Sequence, residues 1–266
     1  MKYKIREDGR IEALKDFGSI TKGTIGGFIS EEENLSHEGN CWVSGDARVY
    51  GNARVYGGAR VYGDARVYGD AWVSGNVEVF GNAKVDENAK VFGDAHVFGN
   101  AEVDGNAEVD GNARVFGDAH VFENAWVFGD AKVDGNAWVF GDAKVDGDAH
   151  VFGNARVFGD AWVFGDAWVD GNARVYGNAW VFGNVKVYGK ASVSGSSIVN
   201  GVRPYYCIQA PQHTITATLE AITIGCETHT PKHWLENYKQ IGKANGCTKE
   251  QIAEYGAILS LFKEWK

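Results

Sequence analysis

Gly39-Asn40-Cys41-Trp42-Val43-Ser44 opens a run that closes on Gly195-Ser196-Ser197-Ile198-Val199-Asn200, and between them one six-residue phrase, Gly-(Asp/Asn)-Ala-x-Val-z, recurs without an insertion. There are 27 copies, and the fifth position is valine in every one, from Val43 to Val199. A short period kept this strictly marks a solenoid, in which each unit buries its apolar face only against its neighbours. Within the phrase Ala-x-Val-z alternates with period two, so alanine and valine share one side of a strand and x and z the other. The invariant side is the interior. Glycine and Asn/Asp fall at the corners, because both tolerate the left-handed backbone of a tight turn. Three phrases per turn give a triangular coil and about nine coils, a prism about 43 Å long at the spacing of stacked strands. Among the few departures, Cys41, Val77, Val185 and Ser197 replace the alanine, and Glu87 and Glu123 replace the glycine.

The outward positions carry the variety. Position z is Phe or Tyr in 17 copies and Asp in six, while x holds seven Trp, seven Arg, five Lys, three His and three Glu. Wound three phrases to the turn, one face reads Tyr56, Trp72, Phe92, Trp126 with Phe128, Trp162 with Phe164, and Trp180 with Phe182. A second reads Tyr50, Tyr68, Phe122, Trp138 with Phe140, Phe158 and Tyr176. The third sets Tyr62, Phe80, Phe98, Phe116, Phe152 and Tyr188 beside Arg60, His96, Arg114 and His150. Stacked like residues make structural ladders, with Arg or Lys over aromatic faces. Even so, 24 outward aromatics exceed what a free monomer exposes, so at least one face is expected to be covered by self-association or a partner.

The ends differ from the middle. Residues 1–38 are expected to form an N-terminal β cap: Tyr3-Lys4-Ile5-Arg6 and Ile11-Glu12-Ala13-Leu14 flank Asp8-Gly9 as a hairpin. Residues 39–200 are the β-helix, and residues 201–266 a small α+β domain. There Tyr205-Tyr206-Cys207-Ile208 and the stretch from Thr214 to Ile224 read as strands. Thr230 before Pro231 starts a helix, Asn245-Gly246 stops it, and Thr248 with Gln251 forms a capping box for a second helix carrying Ile252, Tyr255, Ile258, Leu259, Phe262 and Trp265. The formal charge is −9, with 13 basic and 21 acidic residues in the repeats, which argues against general attraction to a nucleic acid backbone. Four scattered cysteines make no disulfide framework, and the charged start of the chain resembles neither a signal peptide nor a membrane span. The expected location is the cytoplasm of a host cell or a virion, with no membrane partner.

The phrase resembles the hexapeptide repeat of left-handed parallel β-helices, although Phe or Tyr stands here where those repeats carry a small residue after the aliphatic one. The resemblance implies a mainly β fold, a single-stranded left-handed β-helix. Lys22-Gly23-Thr24-Ile25-Gly26-Gly27-Phe28, Glu32-Glu33-Asn34-Leu35-Ser36 and Gly39-Asn40-Cys41-Trp42 together resemble the N-terminal cap of hexapeptide-repeat proteins common in phages and prophages. Ile224-Gly225-Cys226 through His229-Thr230 to Trp234 resembles their C-terminal domain. A phage-type origin is implied; no activity comes with it.

Cys226, His229 and His233 stand at C-x2-H-x3-H spacing, with His213 or Cys247 as a fourth zinc ligand, but no second tight pair accompanies them. A Cys226/His229 nucleophile pair lacks an orienting group. Many hexapeptide β-helix proteins are trimeric acyltransferases using CoA, and the resemblance implies an extruded loop and a histidine at the cleft between subunits. No loop interrupts residues 39–200 here, and His96 and His150 lie three coils apart with His120 on another face. The six-residue period does not fit calcium-binding β-rolls, and interspersed basic residues spoil a clean DNA mimic. The expected function is therefore non-enzymatic and without cofactor: a rigid rod presenting aromatic and basic columns for self-assembly, a trimer first, or for a protein partner. Trp126, Trp162 and Trp180 are the expected anchors. Arg156 and Arg174 beside Phe158 and Tyr176 are the expected place for an anionic or nucleotide ligand. The alternatives are a host-interaction protein that sequesters a nucleotide signal or mimics nucleic acid, and an acyltransferase.

Overall fold

The computed structural model describes residues 1–195, 197–200, 206–209, 213–217, 221–260 and 262. Of the sequence expectations, Tyr205, the stretch 218–220 and Trp265 fall outside these residues.

The repeats form a parallel β-helix with three faces. Each phrase contributes one strand of two or three residues, x and valine, from Trp42–Val43 to Ile198–Val199. Every strand pairs with the one a full turn away: Arg48 with Arg66, Lys84 with Glu102, Trp162 with Trp180. Two faces are nine-stranded parallel sheets, here called the histidine face (Trp42–Val43 to Lys186–Val187) and the tryptophan face (Arg54–Val55 to Ile198–Val199). The third, the cap face, is a 12-stranded sheet in which the hairpin Tyr3–Ile5 and Arg10–Ala13 and the strand Ile25–Ile29 continue the solenoid. The repeats alone predict about nine coils. The structure has about ten turns, because Phe28 and Ile29 pair in parallel with Arg48 and Val49, and Leu35 bridges Val55. Part of the cap is thus an extra turn.

The interior is what the alternation predicts. The valines and alanines from Val43 to Val193 are sealed from solvent and form one continuous core. The backbone is satisfied between turns, as in Arg48 N–H to Ala65 carbonyl at 2.9 Å and Tyr50 N–H to Val67 carbonyl at 3.1 Å. Corners turn on a positive φ. Gly105 has φ +65°, and Glu87 and Glu123 hold the same conformation at +54° and +60°. Glu123 gains an offset: its Oε2 accepts the N–H of Gly141 on the next coil at 2.9 Å. Asparagines that follow the corner residue stack a second ladder. The amide of Asn88 donates to Asn106, Asn106 to Asn124, and Asn124 to Asp142, each at 3.0–3.1 Å. An aspartate carboxylate only accepts, so it ends such a ladder.

The cap closes the first coil with polar groups that point inward yet are fully partnered. Asn34, buried, accepts from Ser30 N–H and Oγ–H and from Glu31 N–H, and donates to the carbonyls of Gly51 and Ala53. Lys2 is 1% exposed; its ammonium meets the Cys41 carbonyl at 3.0 Å and the Cys41 sulfur at 3.2 Å. Burial pushes the Cys41 thiol up, with the Lys2 charge opposing.

At the other end a four-stranded antiparallel sheet (Tyr206–Gln209, Thr214–Ala217, Ile222–Ile224, Glu227–His229) precedes helices α1 (Pro231–Ala244) and α2 (Lys249–Ser260). The helix signals are as expected: Thr230 Oγ accepts the N–H of His233, and Thr248 and Gln251 exchange side-chain bonds with each other's backbone. The strands depart from expectation. The stretch from Thr214 to Ile224 is two strands, not one, paired Ile215 to Ile224 and Ala217 to Ile222. Glu227–His229 adds a strand across the turn at Gly225 (φ +63°) and Cys226. Ile215, Ile222, Trp234, Tyr255, Leu259 and Phe262 form this domain's own core. The Thr216 hydroxyl donates to the Ser192 carbonyl, which seats the sheet on the last coil.

Candidate binding surface

Stacking settles the fate of many outward aromatics. On the histidine face Tyr62, Phe80, Phe98 and Phe116 stack at 4.8–4.9 Å between centroids with planes within 3°. On the cap face Phe122, Phe140, Phe158 and Tyr176 stack at 4.9 Å with planes within 5°. Rings above and below cover Phe80, Phe98, Phe140 and Phe158 on both faces, and every aromatic after a valine is half-buried except Tyr188. The expectation drawn from 24 outward aromatics therefore overstates the apolar surface. On the repeats, what remains well exposed is Tyr188, Ile198 and five tryptophans of the position before valine: Trp72, Trp126, Trp138, Trp168 and Trp180. Trp42 is buried under the cap, edge-on to Phe17.

Tryptophan at this position recurrently carries a cation from the following coil. Lys144 lies 5.2 Å from the Trp126 ring, Arg156 4.9 Å from Trp138, and Lys186 4.8 Å from Trp168. The lower tryptophan face departs from that rule. There Trp126, Lys144, Trp162, Trp180 and Ile198 follow one another in register. Lys144 sits between Trp126 and Trp162, 5.6 Å from the latter. Trp162 is half-buried, edge-on to Trp180 at 5.4 Å and tilted on Phe164 at 4.9 Å; its indole N–H is buried with no partner. Trp180 is followed by Ile198 in place of a cation, and the two are 42% and 44% exposed. Stacked Phe164 and Phe182 flank them at 4.7 Å. The expected anchors Trp126, Trp162 and Trp180 thus lie on one stripe, with its most apolar point at Trp180.

The other expected sites are arranged differently. Phe158 and Tyr176 are in mutual contact, which leaves no gap for a ring between them, and Arg156 is laid over Trp138. Arg174 pairs with Arg156 in register. In the C-terminal domain Cys226 is exposed in its turn, while the His229 and His233 rings face each other at 4.5 Å. His229 Nε2 meets Glu227 Oε2 at 3.0 Å, and Asn245 with His229 holds the Glu227 carboxyl below its usual range. Cys226 does not join the two histidines in a ligand cluster. It lines, with His213, Trp234, Tyr238, Cys247 and Tyr255, a cavity of about 250 Å³.

The histidines of the repeats each meet an acidic residue one coil earlier. His96 Nε2 lies 3.8 Å from Glu78, His150 Nε2 3.4 Å from Asp134, and His120 Nε2 2.9 Å from Asp104. The Asp104 bond raises the His120 pKa above the ordinary imidazole value, against the opposing effect of burial. Sequence reasoning treated these three histidines only as candidate acyltransferase bases. The diagonal carboxylates were missed, although they show once the chain is wound three phrases to the turn.

Fold and repeat define the class: a parallel β-solenoid repeat protein. Residues 42–57, 47–60 and 59–75 match the family model described as YdcK beta solenoid repeat. No curated protein matches the chain.

Proposed function

We propose that the chain is a non-enzymatic β-helical rod of phage type whose lower tryptophan face binds a protein, with a second copy of the chain as the first occupant to test. One observation carries the reading: the stripe of Trp126, Lys144, Trp162, Trp180 and Ile198, in which the usual cation cover gives way to exposed apolar side chains. Aromatic anchors beside apolar neighbours, with cations around them, are the composition of an interface centre. A solenoid suits the task because its faces are flat, stiff and extended.

The test is size exclusion with light scattering on the intact chain, recorded at 260 and 280 nm. A closed oligomer, a trimer first, or saturable capture of one protein from a host lysate is the expected result. A monomer at all concentrations that also captures nothing overturns the reading. Excess absorbance at 260 nm turns it toward a sequestered nucleotide.

A further inference from the structure

On the cap face the column of residues that follow the valines reads Tyr50, Tyr68, Asp86, Asp104, Phe122. This is the one place on the three faces where that column carries two carboxylates in consecutive coils. Beside it, the residues before the valines read Lys84, Glu102, His120, in register across three coils. The ligand atoms of Glu102, Asp104 and His120 all lie within 4.8 Å of one another, and theirs is the one such group among the described residues. His120 Nε2 is 2.9 Å from Asp104 Oδ2 and 4.0 Å from Glu102 Oε2. A small divalent ion held at about 2.0–2.2 Å by nitrogen and oxygen ligands sets those ligands roughly 3–3.5 Å apart, so small side-chain movements close the set around an ion.

The surroundings point the same way. Lys84 holds the other oxygen of Glu102, Oε1, which turns Oε2 toward His120 as an outer partner turns a ligand. Asp86 precedes Asp104 in the same column, one coil earlier, and adds a further carboxylate to this part of the face. Asp86, Glu102 and Asp104 against Lys84 leave two negative charges when the imidazole is neutral, which a divalent ion balances. The three ligands are half-exposed, so further coordination positions face solvent. The other two histidines show what is missing elsewhere: His96 has Glu78 but Phe80 on the diagonal, and His150 has Asp134 but Lys132 in register.

We propose that Glu102, Asp104 and His120 form a binding site for a first-row divalent transition ion, Zn2+ foremost, with open positions toward solvent. One imidazole nitrogen with two carboxylates suits zinc or its neighbours, whereas Mg2+ and Ca2+ prefer all-oxygen shells. The site lies on the cap face and does not depend on what the tryptophan face binds.

The test uses the full chain without a polyhistidine tag, stripped with chelator. It is titrated with Zn2+ by calorimetry and with Co2+ by visible spectroscopy. One saturable equivalent per chain is expected, with Co2+ bands of a nitrogen–oxygen donor set. Asp104→Asn and His120→Gln should each weaken binding at least about ten-fold, the lower end of what loss even of an outer partner costs. His150→Gln should bind as wild type, and millimolar Mg2+ should not displace the ion. All three side chains point outward, so circular dichroism of the variants should match wild type. No binding, equal affinity in all variants, or displacement by Mg2+ overturns the proposal.

Discussion

A chain in which Trp126, Trp162 and Trp180 are all alanine is expected to lose association by at least about a hundred-fold in Kd while keeping its fold. An interface anchor costs about 2 kcal/mol or more when truncated, and about 1.4 kcal/mol is a tenfold change in Kd, so even strongly non-additive losses reach two orders of magnitude. The fold should survive because the three rings stand outside the valine–alanine core, which is sealed without them. Trp162 is the partial exception. It packs on Phe164 and Trp180, so its removal should also cost stability by about 1 kcal/mol, the scale of an aromatic pair. Concentration-dependent light scattering with a thermal melt checks both halves. Association equal to wild type would remove the tryptophan face from the account.

Gly105→Ala is expected to destabilise the solenoid by about 3 kcal/mol or more. Two costs add. A left-handed backbone at φ +65° costs an alanine about 1–2 kcal/mol. The added Cβ would also stand 2.7 Å from the backbone nitrogen of Glu123 and 3.0 Å from its Cα and oxygen, so the coils must part. The corner is already drawn tight there, with Asn106 N–H to the Glu123 carbonyl at 2.6 Å. Gly189→Ala is the control. It shares the positive φ (+68°), but its Cβ meets nothing within 4 Å among the described residues, so only the backbone cost of about 1–2 kcal/mol should remain. Denaturant midpoints of the two variants separate the costs. Equal losses would show that inter-coil contact at the corner contributes little.

The contrast between these two glycines also shows what a sequence can say about this fold. Both read alike as corner residues, and the repeat correctly assigns corners, inward valines and the register that stacks Trp162 on Trp180. It does so because period two and a fixed turn length are geometric consequences of the phrase. The difference between Gly105 and Gly189 lies in the neighbouring coil. The cap was legible as a hairpin, but not as an extra turn, since the pairing of Phe28 with Arg48 is set by chain packing and not by local pattern. Asn34 and Lys2 look like surface residues until bonds across 17 to 39 positions bury them. The antiparallel pairing of Ala217 with Ile222 has no glycine or proline between the two residues to announce it.

For the sites, the anchor tryptophans were readable as one column, because x recurs on one face every third phrase. Their exposure was not: the count of aromatics ignored the mutual cover that stacking provides. The Glu102, Asp104 and His120 group was accessible in principle, since residues two apart on one strand and one coil away share a face. Reading along columns alone hid it, because the contact between Asp104 and His120 runs diagonally between two columns.

Whether the lower tryptophan face is the covered surface is read most directly by hydroxyl-radical footprinting resolved by mass spectrometry. The chain is compared in its assembled or partner-bound state and when dilute and free. Trp126, Trp162 and Trp180 are expected to be protected on assembly, with Trp138 and Trp168, on the other two faces, reacting as in the free chain. Unchanged reactivity at the three, or protection confined to Trp138 or Trp168, would contradict this expectation.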